Sequence, residues 1–154
     1  MLPGNKIMLR RIAFLIILFG MLAVPTGAIG AADGTVWKAE YFGNAYLIGE
    51  PAVKRDEQVV NFDWGLASPA SNIPSDNFSA RFGTDVYFEE GVYRFSALAD
   101  DRVRVSVAFQ PVIDTFDNPK PGQLLSADVT LPAGVHHLQI DYREETYTAY
   151  ISFN

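Results

Sequence analysis

The chain has 154 residues, no cysteine, and 18 acidic against 12 basic residues. Beyond residue 30 the balance sharpens to 9 basic against 18 acidic, a net charge of −9, because the first thirty residues hold Lys6, Arg10 and Arg11 and no acid. So acidic a surface argues against nucleic acid and anionic membranes as partners, and the missing thiols exclude thiolate zinc centres and cysteine nucleophiles.

The three N-terminal cations lead into an apolar run, Ile12 to Val24, that is 13 residues long and too short to span a bilayer comfortably. Pro25-Thr-Gly-Ala-Ile-Gly30 follows as a small-residue exit, with Ala28 and Gly30 suited to the positions before a cleavage site. This pattern predicts a signal peptide over residues 1–30 and an exported domain over 35–154, secreted or at the cell surface, with no membrane insertion after cleavage. An uncleaved segment would instead tether the domain.

From residue 37 onward the apolar period is two. Trp37, Ala39 and Tyr41 alternate with Lys38 and Glu40. Val60, Phe62 and Trp64 do the same, as do Phe78, Ala80 and Phe82. Val86 to Phe88 reads as a short strand, followed by a Glu89-Glu90-Gly91 turn. Tyr93, Phe95, Ala97 and Ala99 share one face, and so do Val103, Val105 and Val107. Leu125 to Leu131, His136 to Tyr142 and Tyr147 to Phe153 complete the series. Pro- and Gly-bearing breaks separate the runs, and none has a 3.6-residue period. The expected fold class is all-β: one antiparallel β-sandwich or barrel-like domain.

The adjacent acids Asp100 and Asp101 stand between two of these strands. Ala99 and Val103 both face inward, which predicts that they pair across a hairpin closed by Asp100, Asp101 and Arg102. The third position of such a loop favours a left-handed residue, an ill fit for arginine. Two adjacent carboxylates invite a cation or strong donors. His136 and His137 point to opposite faces and make a poor metal pair; His136 reads as a core-edge residue and His137 as exposed. Trp37, Tyr41, Phe62 and Trp64 read as core. Tyr147 and Phe116, in or near turns, read as exposed aromatics. No nucleophile elbow, zinc-protease helix or phosphate loop is present.

The order of landmarks resembles the protective-antigen N-terminal family, usually called the PA-fourteen domain. The resemblance rests on Trp37-Lys-Ala-Glu-Tyr-Phe42, Asn61-Phe-Asp-Trp-Gly65, Ile73-Pro-Ser-Asp-Asn-Phe-Ser-Ala-Arg-Phe82, Gly91-Val-Tyr-Arg-Phe95 with Ala99-Asp-Asp101, Val112-Ile-Asp114, Leu131-Pro-Ala-Gly-Val-His-His-Leu138 and Tyr142-Arg-Glu144. It implies a β-sandwich found in exported proteins, many of whose members bind carbohydrate. In the adhesin branch an Asp-Asp pair joined by a cis peptide binds calcium, which holds sugar hydroxyls. By that resemblance the calcium ligands are Asp100, Asp101 and Glu144, the last standing where the adhesins use asparagine. Arg102 occupies the family's usual glycine position, and the late loop Glu144-Glu-Thr-Tyr147 also lacks its glycine. The resemblance thus implies a non-catalytic, lectin-like module, with Asp100, Asp101, Arg102 and Glu144 lining the ligand site and a glycan or cell-surface polysaccharide as partner. The alternative is a structural or protein-interaction module of a surface assembly.

Overall fold

The computed structural model describes residues 34–154. The expected signal peptide lies outside the described residues. Ten strands follow in order: β1 (Trp37–Phe42), β2 (Val53–Glu57), β3 (Asn61–Gly65), β4 (Phe78–Phe88), β5 (Gly91–Asp100), β6 (Arg102–Val107), β7 (Gln110–Asp114), β8 (Leu125–Leu131), β9 (Gly134–Glu144) and β10 (Ala149–Phe153). They form a six-stranded sheet, β2-β1-β4-β9-β6-β7, and a four-stranded sheet, β3-β10-β5-β8, with every pairing antiparallel.

The period-two residues meet between the sheets. Tyr41, Phe78, Phe82, Val105, Ile140 and Tyr142 come from the larger sheet, Phe95 and Ile151 from the smaller, and each is at most 1% exposed. Side chains of this size each contribute about 1.5–3 kcal/mol on burial. Phe62 stacks on Trp64 and on Phe82, while Tyr41 meets Phe82 edge-on at 5.8 Å. The aromatic residues of β1 and β3 are therefore core, as their alternation indicates.

The structure corrects several local readings. β4 runs unbroken over eleven residues, because β9 is equally long and pairs with all of it. β2 has no apolar alternation: it is a charged edge strand, Val53-Lys-Arg-Asp-Glu57, which discourages pairing with another chain. Phe116 is buried, not exposed, its ring covered by the guanidinium groups of Arg143 at 3.8 Å and Arg104 at 4.4 Å. His137 is half-buried rather than exposed. Its Nδ1 lies 2.7 Å from Asp85 and its ring stacks under Phe109, over the space that Gly83 leaves open.

The largest correction concerns the acid pair. β5 and β6 do not form a hairpin. Ala99 pairs with Ile151 in the small sheet, and Val103 pairs with Tyr142 in the large one. Both residues face inward as expected, but the inner faces belong to opposite sheets. Asp100 and Asp101 are therefore the corner at which the chain crosses from one sheet to the other. Arg102 is the first residue of β6 and needs no left-handed backbone.

Candidate functional site

The Asp100–Asp101 peptide is cis. Beside this corner sits the loop that joins β9 to β10, residues 145–148. Asp101 Oδ2 accepts the backbone N–H of Glu145 at 2.7 Å and of Thr146 at 3.2 Å. Asp100 Oδ2 accepts the Thr148 hydroxyl at 3.0 Å. From the other side, Asp76 Oδ1 accepts the Tyr147 N–H at 2.9 Å. Three carboxylates thus hold one four-residue loop, each keeping a second oxygen for another partner.

Glu144, the last residue of β9, is fully buried. Its Oε2 lies 2.8 Å from the Tyr142 hydroxyl, which also bonds the Asp100 carbonyl. A phenol has one proton for these two oxygens. The arrangement closes when Glu144 is itself protonated and donates to Tyr142, while Tyr142 donates to Asp100. The electrostatics agree: burial first, then the carboxylates of Asp101, Asp100 and Asp76, push the Glu144 carboxyl up to about 8, against an opposing effect of the Tyr142 hydrogen bond. Burial, followed by Glu144, raises Tyr142 as well. Asp100 is also raised, mainly by burial and by Asp101 beside it, with Thr148 opposing. Among the described residues Glu144 Oε1 has no partner, although it is sealed from solvent.

Arg102 does not reach outward. Its Nε lies 2.7 Å from Glu145 Oε1, its Nη2 donates to Glu145 Oε2 at 3.0 Å, and its Nη1 donates to the Phe116 carbonyl at 2.5 Å. Its charge is spent on the loop. Of the four residues singled out in the sequence, then, Asp100 and Asp101 form the corner, Glu144 lies sealed beneath it, and Arg102 braces its side.

Sequence reasoning did not single out Asp76, Tyr142 or Leu66 as parts of this site. Asp76 lies in the stretch Ile73 to Phe82, far in sequence from the corner, and only the fold brings it to the loop. A shallow groove of about 250 Å³, lined by Leu66, Ser75, Asp76, Thr146 and Tyr147, opens here. Tyr147 is 78% exposed and Leu66 is 73% exposed. Tyr147 has φ of +76°, a left-handed conformation that an aromatic residue rarely adopts. It occupies the late loop that lacks the expected glycine, and its ring stands out from that loop.

A family model described as the PA14 domain matches residues 33–151. The chain belongs to the PA14 domain family. A curated relative, the anti-sigma-I factor RsgI3 of Acetivibrio thermocellus, is 26% identical over 130 residues, which cover 77% of this chain and 20% of that protein. A solved anti-sigma factor domain-containing protein superposes with a TM-score of 0.68 at 23% identity, over 76% of this chain and 41% of that one. A PA14 sugar-binding domain from an RTX adhesin superposes with a TM-score of 0.55 at 18% identity, over 77% of this chain and 87% of that one. This PA14 domain thus spans about a fifth of the curated relative's length, and likeness to the solved structures carries the fold alone.

The calcium that the adhesin resemblance implies can be set against these residues. A buried, unpartnered carboxylate oxygen and a crowded pair of aspartates suit a cation. Calcium takes about 6–8 oxygens, and among the described residues no three His, Asp or Glu side chains are grouped closely enough to hold an ion. Asp100 and Asp101 would supply only part of such a shell, and Glu144, sealed beneath them, does not group with them as a third ligand.

Proposed function

We propose that this PA14 domain is an exported, non-catalytic glycan-binding module whose ligand rests on the acid corner. The observation that carries the reading is Tyr147, an exposed aromatic residue on the loop that Asp76, Asp100 and Asp101 hold. An exposed ring face takes the C–H face of a sugar, and free carboxylate oxygens take its hydroxyls. Calcium, held by Asp100 and Asp101, would coordinate further hydroxyls. Hydrolysis needs two carboxyls roughly 5–9 Å apart on either side of the scissile bond. Here Asp100 and Asp101 each anchor the loop and Glu144 is sealed, which favours binding over cleavage.

The test is a glycan-array screen with calcium and with chelator, on the wild type, Asp101→Ala and Tyr147→Ala. The reading expects glycan signals that weaken in both variants. Absence of signal under every condition would sink it. Signals unchanged by chelator would remove the calcium and keep the module.

A second reading, a protein-interaction module of a surface assembly, has its own support. Phe109, Tyr87 and Val135 are exposed at the opposite end of the large sheet, and two relatives named above are anti-sigma proteins of greater length. Phe109→Asp would leave glycan binding intact and disrupt the assembly.

A further inference from the structure

The two sheets part at the end of the sandwich where β1 begins and β10 finishes. Between them lies a cavity of about 280 Å³. Leu138, on its wall, stands six residues along β9 from Glu144, roughly 20 Å at the usual strand rise. The cavity is therefore separate from the acid corner, and what it binds does not depend on the glycan reading.

Three rings shape the interior. Phe153 stacks on Phe95, with centroids 6.2 Å apart and planes 11° apart, and Trp37 meets Phe153 edge-on at 5.7 Å. Val60, Val86 and Leu138 add aliphatic wall. Close-packed interiors rarely leave this much room, and larger side chains at the two valine positions would fill it. Among the described residues no charged side chain lines the cavity, and Thr35 and Ser152 add hydroxyls to its wall. At its rim stand the exposed side-chain amides of Asn61 and Asn154.

These features define a ligand. Phe153 is the partly open ring among the three, and its flat face favours a planar molecule. A dry cavity of about 150 Å³ accepts benzene, so this one has room for two fused rings. The uncharged lining disfavours an ion, whose desolvation nothing there would offset. The rim amides can take one N–H or hydroxyl. We propose that this cavity is a second binding site, for a small uncharged planar aromatic molecule with one hydrogen-bonding group.

The experiment titrates indole, and separately indole-3-acetate, into the full chain. It follows the Trp37 side-chain signal and the methyl signals of Val60, Val86 and Leu138 by NMR. The expected result is saturable shifts confined to these residues, with Kd for indole below about 1 mM and the acid weaker by roughly tenfold or more. Val86→Phe, which fills the cavity, should abolish the shifts and leave glycan-array signals unchanged. Asn61→Ala, at an exposed rim position where folding is not at risk, should weaken indole severalfold. Shifts that fail to saturate, equal affinity for indole and its acid, or binding that survives both substitutions would overturn the proposal.

Discussion

Glu144→Gln isolates the most unusual group in the domain. Gln keeps the size of Glu, offers Tyr142 both an acceptor and a donor, and cannot ionise. In the folded chain Glu144 holds its proton up to a pH of about 8, while the unfolded chain releases it near the ordinary 4.5. Between these values the folded state binds more protons, so stability falls as pH rises through the window. Each tenfold difference in proton affinity is worth about 1.4 kcal/mol, so the carboxylate costs the folded state about 5 kcal/mol once fully ionised. That is a large share of a typical domain stability of about 5–15 kcal/mol. Urea unfolding in chelator should therefore find the two proteins within about 1 kcal/mol at pH 5. At pH 9 the variant should be the more stable by about 3–5 kcal/mol. Reading the difference between the two proteins cancels the titrating groups that do not interact with Glu144. A gap of equal size at pH 5 and pH 9 would refute the argument, and with it the assignment of a protonated Glu144 beneath Tyr142.

Three further outcomes follow from the same corner. Tyr147→Gly relieves a left-handed aromatic residue and removes its ring, so calorimetry should show a gain of about 1 kcal/mol while glycan affinity falls. Arg102→Ala removes the brace on Glu145 and the Phe116 carbonyl; urea unfolding should show a loss of about 1–2 kcal/mol, with faster hydrogen exchange at Glu145 and Thr146. Calcium affinity, measured by titration calorimetry in buffers of different ionisation heat, should rise with pH and release protons, because the raised Asp100 carboxyl must ionise to bind.

Alternation told most of the fold because both sheets bury one face. Tyr41, Phe82, Phe95, Ile140 and Ile151 all lie where period two places them. What alternation does not encode is which sheet a strand joins. Ala99 and Val103 share an inward orientation whether they pair as neighbours or face each other across the core, so parity could not distinguish a hairpin from a crossing. β2 was illegible for the opposite reason: an exposed edge strand buries little and needs no apolar rhythm. Phe116 was misplaced because the arginines that cover it come from β6 and β9, a long-range arrangement invisible in its own loop. At the site, the acid pair was visible as a charge anomaly. Its partners were not: Asp76 and Tyr142 look like ordinary strand-end residues until the fold sets them against the corner.

The departures from the family pattern at this corner read as separate blemishes in the sequence, yet in the structure they are physically linked. Arginine at the position after the acid pair supplies the cation that Glu145, one residue beyond Glu144, engages with both oxygens. That brace fixes the start of the late loop, whose N–H groups point at Asp101. The Glu144 carboxyl turns inward to Tyr142, which ties the end of β9 to the Asp100 carbonyl. With both ends of the loop held, Tyr147 can occupy a backbone conformation that glycine would enter more easily, because Asp76 takes its N–H. An arginine brace, a buried carboxyl and a displayed ring therefore replace the flexibility of a glycine-bearing loop with rigidity. A binding site gains from this, since a loop already ordered loses less entropy when ligand arrives. Such linkage makes the substitutions coupled: Arg102→Gly alone should loosen Tyr147 and weaken glycan binding through the lost contacts to Glu145 and the Phe116 carbonyl. If Arg102→Gly left both the mobility of Tyr147 and the affinity unchanged, the three residues would be independent and the rigid-loop account wrong.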